Sequence, residues 1–252
     1  MGFFGTFVKT NRRLSAAFDR QFLPHWYSVD GNRDFLDEFA PAYLETGQRI
    51  VDVGGGKNPY LSPRQKEAFA CHVTGFDIDA SELGRAPPRA YDRVIIGDIC
   101  SYRGPANADL VICQALLEHV RDMEGAFAGL ASLVRPGGRL LIFAPSRNAL
   151  FARINLLLPQ SWKQALLFRI YPDTRGSQGF PSYYDRCTPG ELLKLGHRNA
   201  LALEAARYYF ASSYFTFFLP FHVIWRIWLM VFRLARGLQA AETFAMAFRK
   251  PE

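Results

Sequence analysis

The chain has 252 residues, 49% of them apolar and 21% charged, with a formal net charge of +7. Those values exclude wholesale disorder and leave room for one full-sized α/β core, while the basic balance favours an acidic partner: nucleic acid, an anionic membrane surface or a phosphorylated substrate. Four cysteines, Cys71, Cys100, Cys113 and Cys187, show no close spacing, which points to a reducing compartment and no zinc site. The segment from Met1 to Lys9 lacks the long apolar stretch and small-residue cleavage site of a signal peptide, so a cytoplasmic chain is expected.

Residues 5–20 suit a helix, and residues 34–45 set Phe35, Leu36, Phe39 and Tyr43 on one helical face before Gly47 ends the segment. Residues 49–53, Arg-Ile-Val-Asp-Val, then read as a buried parallel strand that runs into Gly54, Gly55 and Gly56. Three glycines after a strand let backbone approach a ligand closely, and two ligand classes use such a turn. A dinucleotide turn wants a further glycine where Pro59 stands, and the strand carboxylate Asp52 would meet a pyrophosphate with like charge. The same carboxylate suits the cationic amino end of a methionyl group. S-adenosyl-L-methionine is therefore the expected cofactor.

Downstream, residues 63–69 read as a helix and residues 72–76 as a strand that ends at Asp77, where a carboxylate can accept both hydroxyls of a ribose. Residues 94–99 give a third short strand carrying Asp98. A fourth strand ends near Cys113, a short helical turn carries Glu118 and His119, residues 123–134 form an amphipathic helix, and Arg139 to Pro145 is a fifth strand after the Pro136-Gly137-Gly138 turn. Three strands presenting a carboxylate near one edge strengthen the reading, because parallel sheets bind ligands at their carboxyl ends.

The succession Val-Asp-Val-Gly-Gly-Gly, Gly-Phe-Asp-Ile-Asp, Gly-Asp-Ile, Ala-Leu-Leu-Glu-His-Val and Arg-Pro-Gly-Gly-Arg-Leu-Leu-Ile-Phe-Ala-Pro-Ser resembles the class I S-adenosylmethionine-dependent methyltransferases of the small-molecule and quinone methylase group. The resemblance spans residues 48–148 without a break. It implies a doubly wound, seven-stranded, mostly parallel Rossmann-like α/β sheet in a single domain over residues 1–252. It also implies that Asp52, Gly54 and Gly56 hold the methionyl end, Asp77 the ribose with Ile78 against adenine, Asp98 and Ile99 the adenine amino group and ring, and that Gln114 lies beside the methionyl chain. Asn58 stands where the family carries glycine; asparagine tolerates left-handed backbone, which lets the turn survive. Some relatives bind a divalent metal through Glu-x-x-Glu-His here, but the first of those positions is Ala115, so no metal is expected. His119 is expected to act as general base for an acceptor hydroxyl, against the plainer reading of a structural histidine capping the next helix.

Residues 149–200 fall where this family covers the sheet edge above its acceptor; residues 149–170 are apolar, residues 171–187 loop-like, and Thr188-Pro189-Gly190-Glu191 opens a capped helix. Residues 201–209 and 242–249 read as the last two strands, the final one antiparallel. Between them lies a hydrophobic insertion over residues 213–237. Pro220, His222 and Arg226 interrupt it, and its flanking strands must lie on one side, so it is not expected to span a bilayer. His222, Arg226, Arg233 and Arg236 fall on one narrow helical stripe, with Trp225, Trp228, Leu229, Val231 and Phe232 around the rest. A basic stripe beside an aromatic face predicts a helix lying on an anionic membrane surface through residues 220–236, and so a peripheral enzyme on the cytoplasmic face. A helix buried on its own sheet and a homodimer seam fit the same pattern. The expected activity is O-methylation of a lipid, a lipid-linked glycan or a polyprenylated aromatic, with no nucleic acid partner; an RNA methyltransferase and a non-catalytic membrane-associated adaptor are the alternatives.

Overall fold

The computed structural model describes residues 3–158 and 181–252. Helix α1 (Phe3–Phe22) is followed by the short helix α2 (Gly31–Asp34), which continues as a π turn over Phe35–Phe39 and a 3-10 turn over Pro41–Tyr43. The single helix expected over residues 34–45 is thus broken into turns. Asp30 caps α2 by accepting from the Asn32 and Arg33 N–H groups, and Phe35 and Phe39 are buried while Leu36 faces water.

Strand β1 (Arg49–Val53), helix α3 (Pro63–Ala68), β2 (His72–Asp77), helix α4 (Ala80–Gly84) and β3 (Arg93–Ile96) form the first half of the sheet. β4 (Ala108–Gln114), helix α5 (Met123–Leu133) and β5 (Val134–Pro145) continue it. Helix α6 (Leu150–Leu157), helix α7 (Pro189–Arg198), β6 (Ala202–Tyr209), helix α8 (Leu219–Arg236) and β7 (Thr243–Arg249) complete the described chain. The cover segment expected over residues 149–200 is described only up to residue 158 and from residue 181; the rest lies outside the described residues.

The seven strands run in the order β3-β2-β1-β4-β5-β7-β6, with β7 antiparallel to both neighbours and every other pairing parallel. Strand order reverses between β1 and β4, and in such sheets the crevice outside the carboxyl ends at the reversal is where a ligand fits. Alternation along the strands fills both layers: Val51, Val53, Val111, Cys113, Leu140 and Ile142 pack on the α5 side. Ile50, Leu110, Ile112, Leu141 and Phe143 pack against Phe35 and Phe39 on the other side. The Pro136-Gly137-Gly138 turn is absorbed into β5, where Gly137 at φ +74° takes up the register shift between Ala108 and Leu110 on β4.

The insertion corrects one expectation. Helix α8 forms, but its polar stripe points inward. His222 is fully buried and Arg226 is 2% exposed. Asp19 on α1 meets both: His222 Nε2 lies 2.8 Å from Asp19 Oδ1, and Arg226 donates to the Asp19 carboxylate, to the Phe210 carbonyl and to the Tyr27 carbonyl. Arg233 stacks 3.9 Å above the Trp26 ring, and of the four stripe residues only Arg236 is exposed. A helical wheel assigns residues to faces but does not say which face is inside. The carboxylate that draws this stripe inward lies about two hundred positions upstream.

Candidate active site at the carboxyl edge of the sheet

β1 delivers Asp52 to the base of the glycine turn, where it is 3% exposed. Its Oδ2 accepts from the Tyr60 N–H at 2.8 Å and lies 3.4 Å from the Tyr91 hydroxyl, which also donates to the Gly56 carbonyl at 3.0 Å. Burial raises the Asp52 carboxyl to about 6 despite these hydrogen bonds, and no cation is paired with it among the described residues. A side chain at Gly55 would overlap that carboxylate, so glycine there is required by the packing of Asp52 beneath the turn. Gly54 at φ +81° and Gly56 at φ +49° are left-handed. Asn58 is not; its N–H closes the turn on the Gly55 carbonyl at 2.8 Å. The family glycine at that position is dispensable because the turn places its left-handed residues earlier.

Asp77 ends β2 beside the turn, with Oδ1 accepting from the Asp79 N–H at 3.0 Å; burial, then the neighbouring Asp79 and Glu82, raise its carboxyl despite backbone hydrogen bonds. Ile78 follows it with 61% of its surface exposed, an apolar ledge at the crevice rim. Asp98 lies beyond the end of β3, exposed, with Oδ1 accepting from the Cys100 N–H at 2.9 Å. Ile99 goes the other way: it is buried in the core and its carbonyl backs onto Gly129 of α5. Its side chain is a core contact, whereas that of Ile78 stands out at the rim.

Across the reversal point, Gln114 ends β4 and donates from Nε2 to Asn32 Oδ1 at 2.8 Å. Ala115 follows in left-handed backbone at φ 50°. The 3-10 turn Leu117–His119 then places His119 at the edge, its Nδ1 3.0 Å from the Pro181 carbonyl and 3.4 Å from the Ser182 hydroxyl. A carbonyl accepts only, so Nδ1 carries the proton and Nε2 is the ring's acceptor. Burial holds the His119 pKa below its usual value, which keeps the imidazole neutral. Glu118 turns inward; burial raises it to about 7, its Oε2 has no hydrogen-bond partner among the described residues, and its carbonyl accepts from Tyr183 and Tyr184 N–H groups. Among the described residues no group of three or more His, Cys, Asp or Glu side chains is arranged to hold a metal.

The methyltransferase domain family matches residues 25–194, two-thirds of the chain. The chain belongs to that family. It is a class I S-adenosylmethionine-dependent methyltransferase, and therefore an enzyme. The ubiquinone biosynthesis O-methyltransferase of Aeromonas salmonicida is 27% identical to this methyltransferase over 71% of the chain and 77% of the relative. The protein of the same name from Cupriavidus pinatubonensis is 28% identical over 73% and 75%. A solved structure described as a sarcosine dimethylglycine methyltransferase from Galdieria sulphuraria shares the fold, with a TM-score of 0.54 at 16% identity over 87% of this chain and 85% of that one.

The residues of the crevice fit the cofactor's chemistry: a buried carboxylate without a cation, a turn with no room for side chains, and a second carboxylate with an exposed apolar neighbour. Three contributors were not read from the sequence. Tyr91 sits in a Pro-rich loop with no periodic signal, Asn32 belongs to a four-residue helix, and Tyr60 acts through its backbone N–H. Only the closing of the chain across the sheet edge brings them in.

Proposed function

We propose that this methyltransferase transfers a methyl group from S-adenosyl-L-methionine to a hydroxyl oxygen of a lipid, a lipid-linked glycan or a polyprenylated aromatic, working as a peripheral enzyme on the cytoplasmic face of a membrane. The observation that carries the reaction is His119, a neutral imidazole whose Nδ1–H is committed to the Pro181 carbonyl and whose Nε2 is the basic atom at the carboxyl edge of β4. Naming of the curated relatives as O-methyltransferases supports oxygen as the atom methylated.

Bound S-adenosyl-L-methionine would supply a methyl already activated by its sulfonium charge. The protein's part is then positioning and proton removal. Asp52 and the Gly54–Gly56 turn would receive the cationic methionyl end, Asp77 the ribose hydroxyls, Ile78 the adenine face, Asp98 the adenine amino group, and Gln114 the methionyl chain from the opposite side. His119 would take the acceptor proton as the oxygen gains the methyl, and the neighbouring Glu118 carboxyl, 3.8 Å from Nε2, would stabilise the imidazolium formed.

Incubation with methyl-labelled cofactor and detergent-dispersed catechols of graded prenyl length tests the reading. Label in an O-methyl group, rising with chain length and falling at least about a hundredfold in His119→Ala while cofactor binding persists, is the expected result. Label on nitrogen or carbon, or none with any hydroxyl acceptor, would overturn it.

A further inference from the structure

We infer that Asn32 is a positioning residue for the cofactor: it fixes the amide of Gln114 so that Oε1 of that amide faces the cationic end of the methionyl group, beside Asp52. This rests on the reading that Gln114 lies along the methionyl chain. The two residues stand 82 positions apart, and no motif joins them.

Side chains alternate along a strand, so Asp52 leaves β1 on the face of Ile50 and Gln114 leaves β4 on the face of Ile112. Ile50 and Ile112 pack with Phe35 and Phe39, so both polar side chains emerge on the side of the sheet that α2 and its π turn cover. The parallel register pairs Val53 with Cys113, which puts Gln114 one step further on, at the level of Gly54. Carboxylate and amide thus share one face of two adjacent strands, at the edge where strand order reverses.

Helix α2 crosses this face as a fixed piece. A side chain at Gly31 would overlap the Tyr209 ring and Thr243 Oγ1, each 2.5 Å from the added carbon, so the start of α2 is pressed onto β6 and β7. At its other end Asp34 accepts from the Tyr209 hydroxyl at 2.6 Å and from Arg207 at 2.8 Å. The buried Phe35 ring lies 5.4 Å from that of Phe143 and meets the Tyr60 ring edge-on at 6.1 Å, and it is the Tyr60 N–H that donates to Asp52. Between these anchors Asn32 keeps its own N–H on Asp30 and turns its side chain to Gln114, accepting from Nε2 at 2.8 Å.

That bond decides which end of the Gln114 amide a ligand meets. A primary amide carries one acceptor oxygen and one NH2 group, and here the NH2 is committed to Asn32. Half a rotation of the amide would set its oxygen against Asn32 Oδ1. Oε1 has no hydrogen-bond partner among the described residues, so it is the atom left for a donor on the ligand. An ammonium has three donors: Asp52 supplies the opposing charge, and Gln114 Oε1 adds a neutral acceptor without burying a second anion. With Asn32 holding the amide, its orientation is set before the cofactor arrives, and binding is spared the entropy of ordering it.

The test is calorimetric titration with S-adenosylhomocysteine, which carries the amino-acid end, and with 5′-methylthioadenosine, which lacks it. Asn32→Ala changes an exposed side chain and keeps the backbone N–H that Asp30 holds, so the melting transition should be unaltered. Its affinity for S-adenosylhomocysteine should fall about five- to tenfold, while that for 5′-methylthioadenosine stays within about twofold of wild type. Gln114→Ala should show the same pattern with an equal or larger factor, and Asn32→Ala/Gln114→Ala should bind no more weakly than Gln114→Ala alone, because Asn32 acts through the amide. Wild-type affinity for S-adenosylhomocysteine in Asn32→Ala, equal losses on both ligands, or losses that multiply in the double variant would each overturn the inference. Gln114→Ala separates it from the reading beneath. If that variant too binds S-adenosylhomocysteine like wild type, the placement of Gln114 in the cofactor site falls and the role of Asn32 with it; a loss in Gln114→Ala beside an unaffected Asn32→Ala overturns the role of Asn32 alone.

Discussion

Two buried aspartates divide this molecule. Asp19 on α1 sits against a guanidinium and an imidazole; burial pushes its pKa up, but the hydrogen bonds from His222 and Arg226 outweigh this and hold it below the usual carboxylate value. Asp52 on β1 is buried more deeply still; that burial raises it to about 6, and nothing cationic among the described residues answers it. The difference teaches how to tell a structural charge from a functional one. A satisfied buried carboxylate joins elements, while one kept short of its partner is available to a ligand that brings the missing charge.

The comparison can be broken at Asp19 with the largest effect. Asp19→Ala leaves Arg226 buried without its counter-ion, and stability should fall by about 3–5 kcal/mol in urea denaturation followed by circular dichroism. Because the folded pKa is lowered, the contribution of Asp19 is complete above its unfolded value near 3.8 and disappears as pH drops through the folded value. The wild-type advantage over Asp19→Ala should therefore shrink only in acid below about pH 4.

Asp52→Asn should do the reverse. Affinity for S-adenosylhomocysteine, read by calorimetry, should fall by about 10–100-fold, the worth of a hydrogen bond to a charged group. Stability should hold or rise. A raised folded pKa gives stability that is full below the unfolded pKa and lost as pH climbs through about 6, so the substitution should flatten the wild-type decline between about pH 4 and 6. A marked destabilisation at neutral pH would mean that Asp52 is a structural residue after all.

Gly55→Ala pushes a methyl into that carboxylate and should weaken the same binding by about tenfold or more, at an overpacking cost of roughly 1–3 kcal/mol. Tyr91→Phe removes one hydrogen bond to the turn and should raise the KM for the cofactor about fivefold with kcat little changed, in keeping with roughly 1 kcal/mol per bond.

Legibility followed the same division. From Arg49 to Pro145 the alternation of apolar residues, the glycines and the strand-end carboxylates are local signals, and the elements formed there within a few residues of where the sequence sets them. The positions of Asp52, Gly54, Gly56, Asp77, Ile78 and Gln114 at or just past strand ends were legible for the same reason. Ile99 was misread because its direction depends on α5 packing against its carbonyl, and a strand expected to reach it stops at Ile96. Tyr91 and Asn32 carried no signal, because loop residues join a site through closure of the chain and not through periodicity.

The sequence by itself determined the doubly wound sheet, the glycine turn after the first strand and the presence of an amphipathic helix before the last strand, all of which follow from spacing within one segment. Tertiary structure decided which face of that helix is inside. Spacing places His222 and Arg226 together, but only Asp19, brought alongside from the first helix, makes the interior the cheaper place for their charges and leaves the aliphatic face outside.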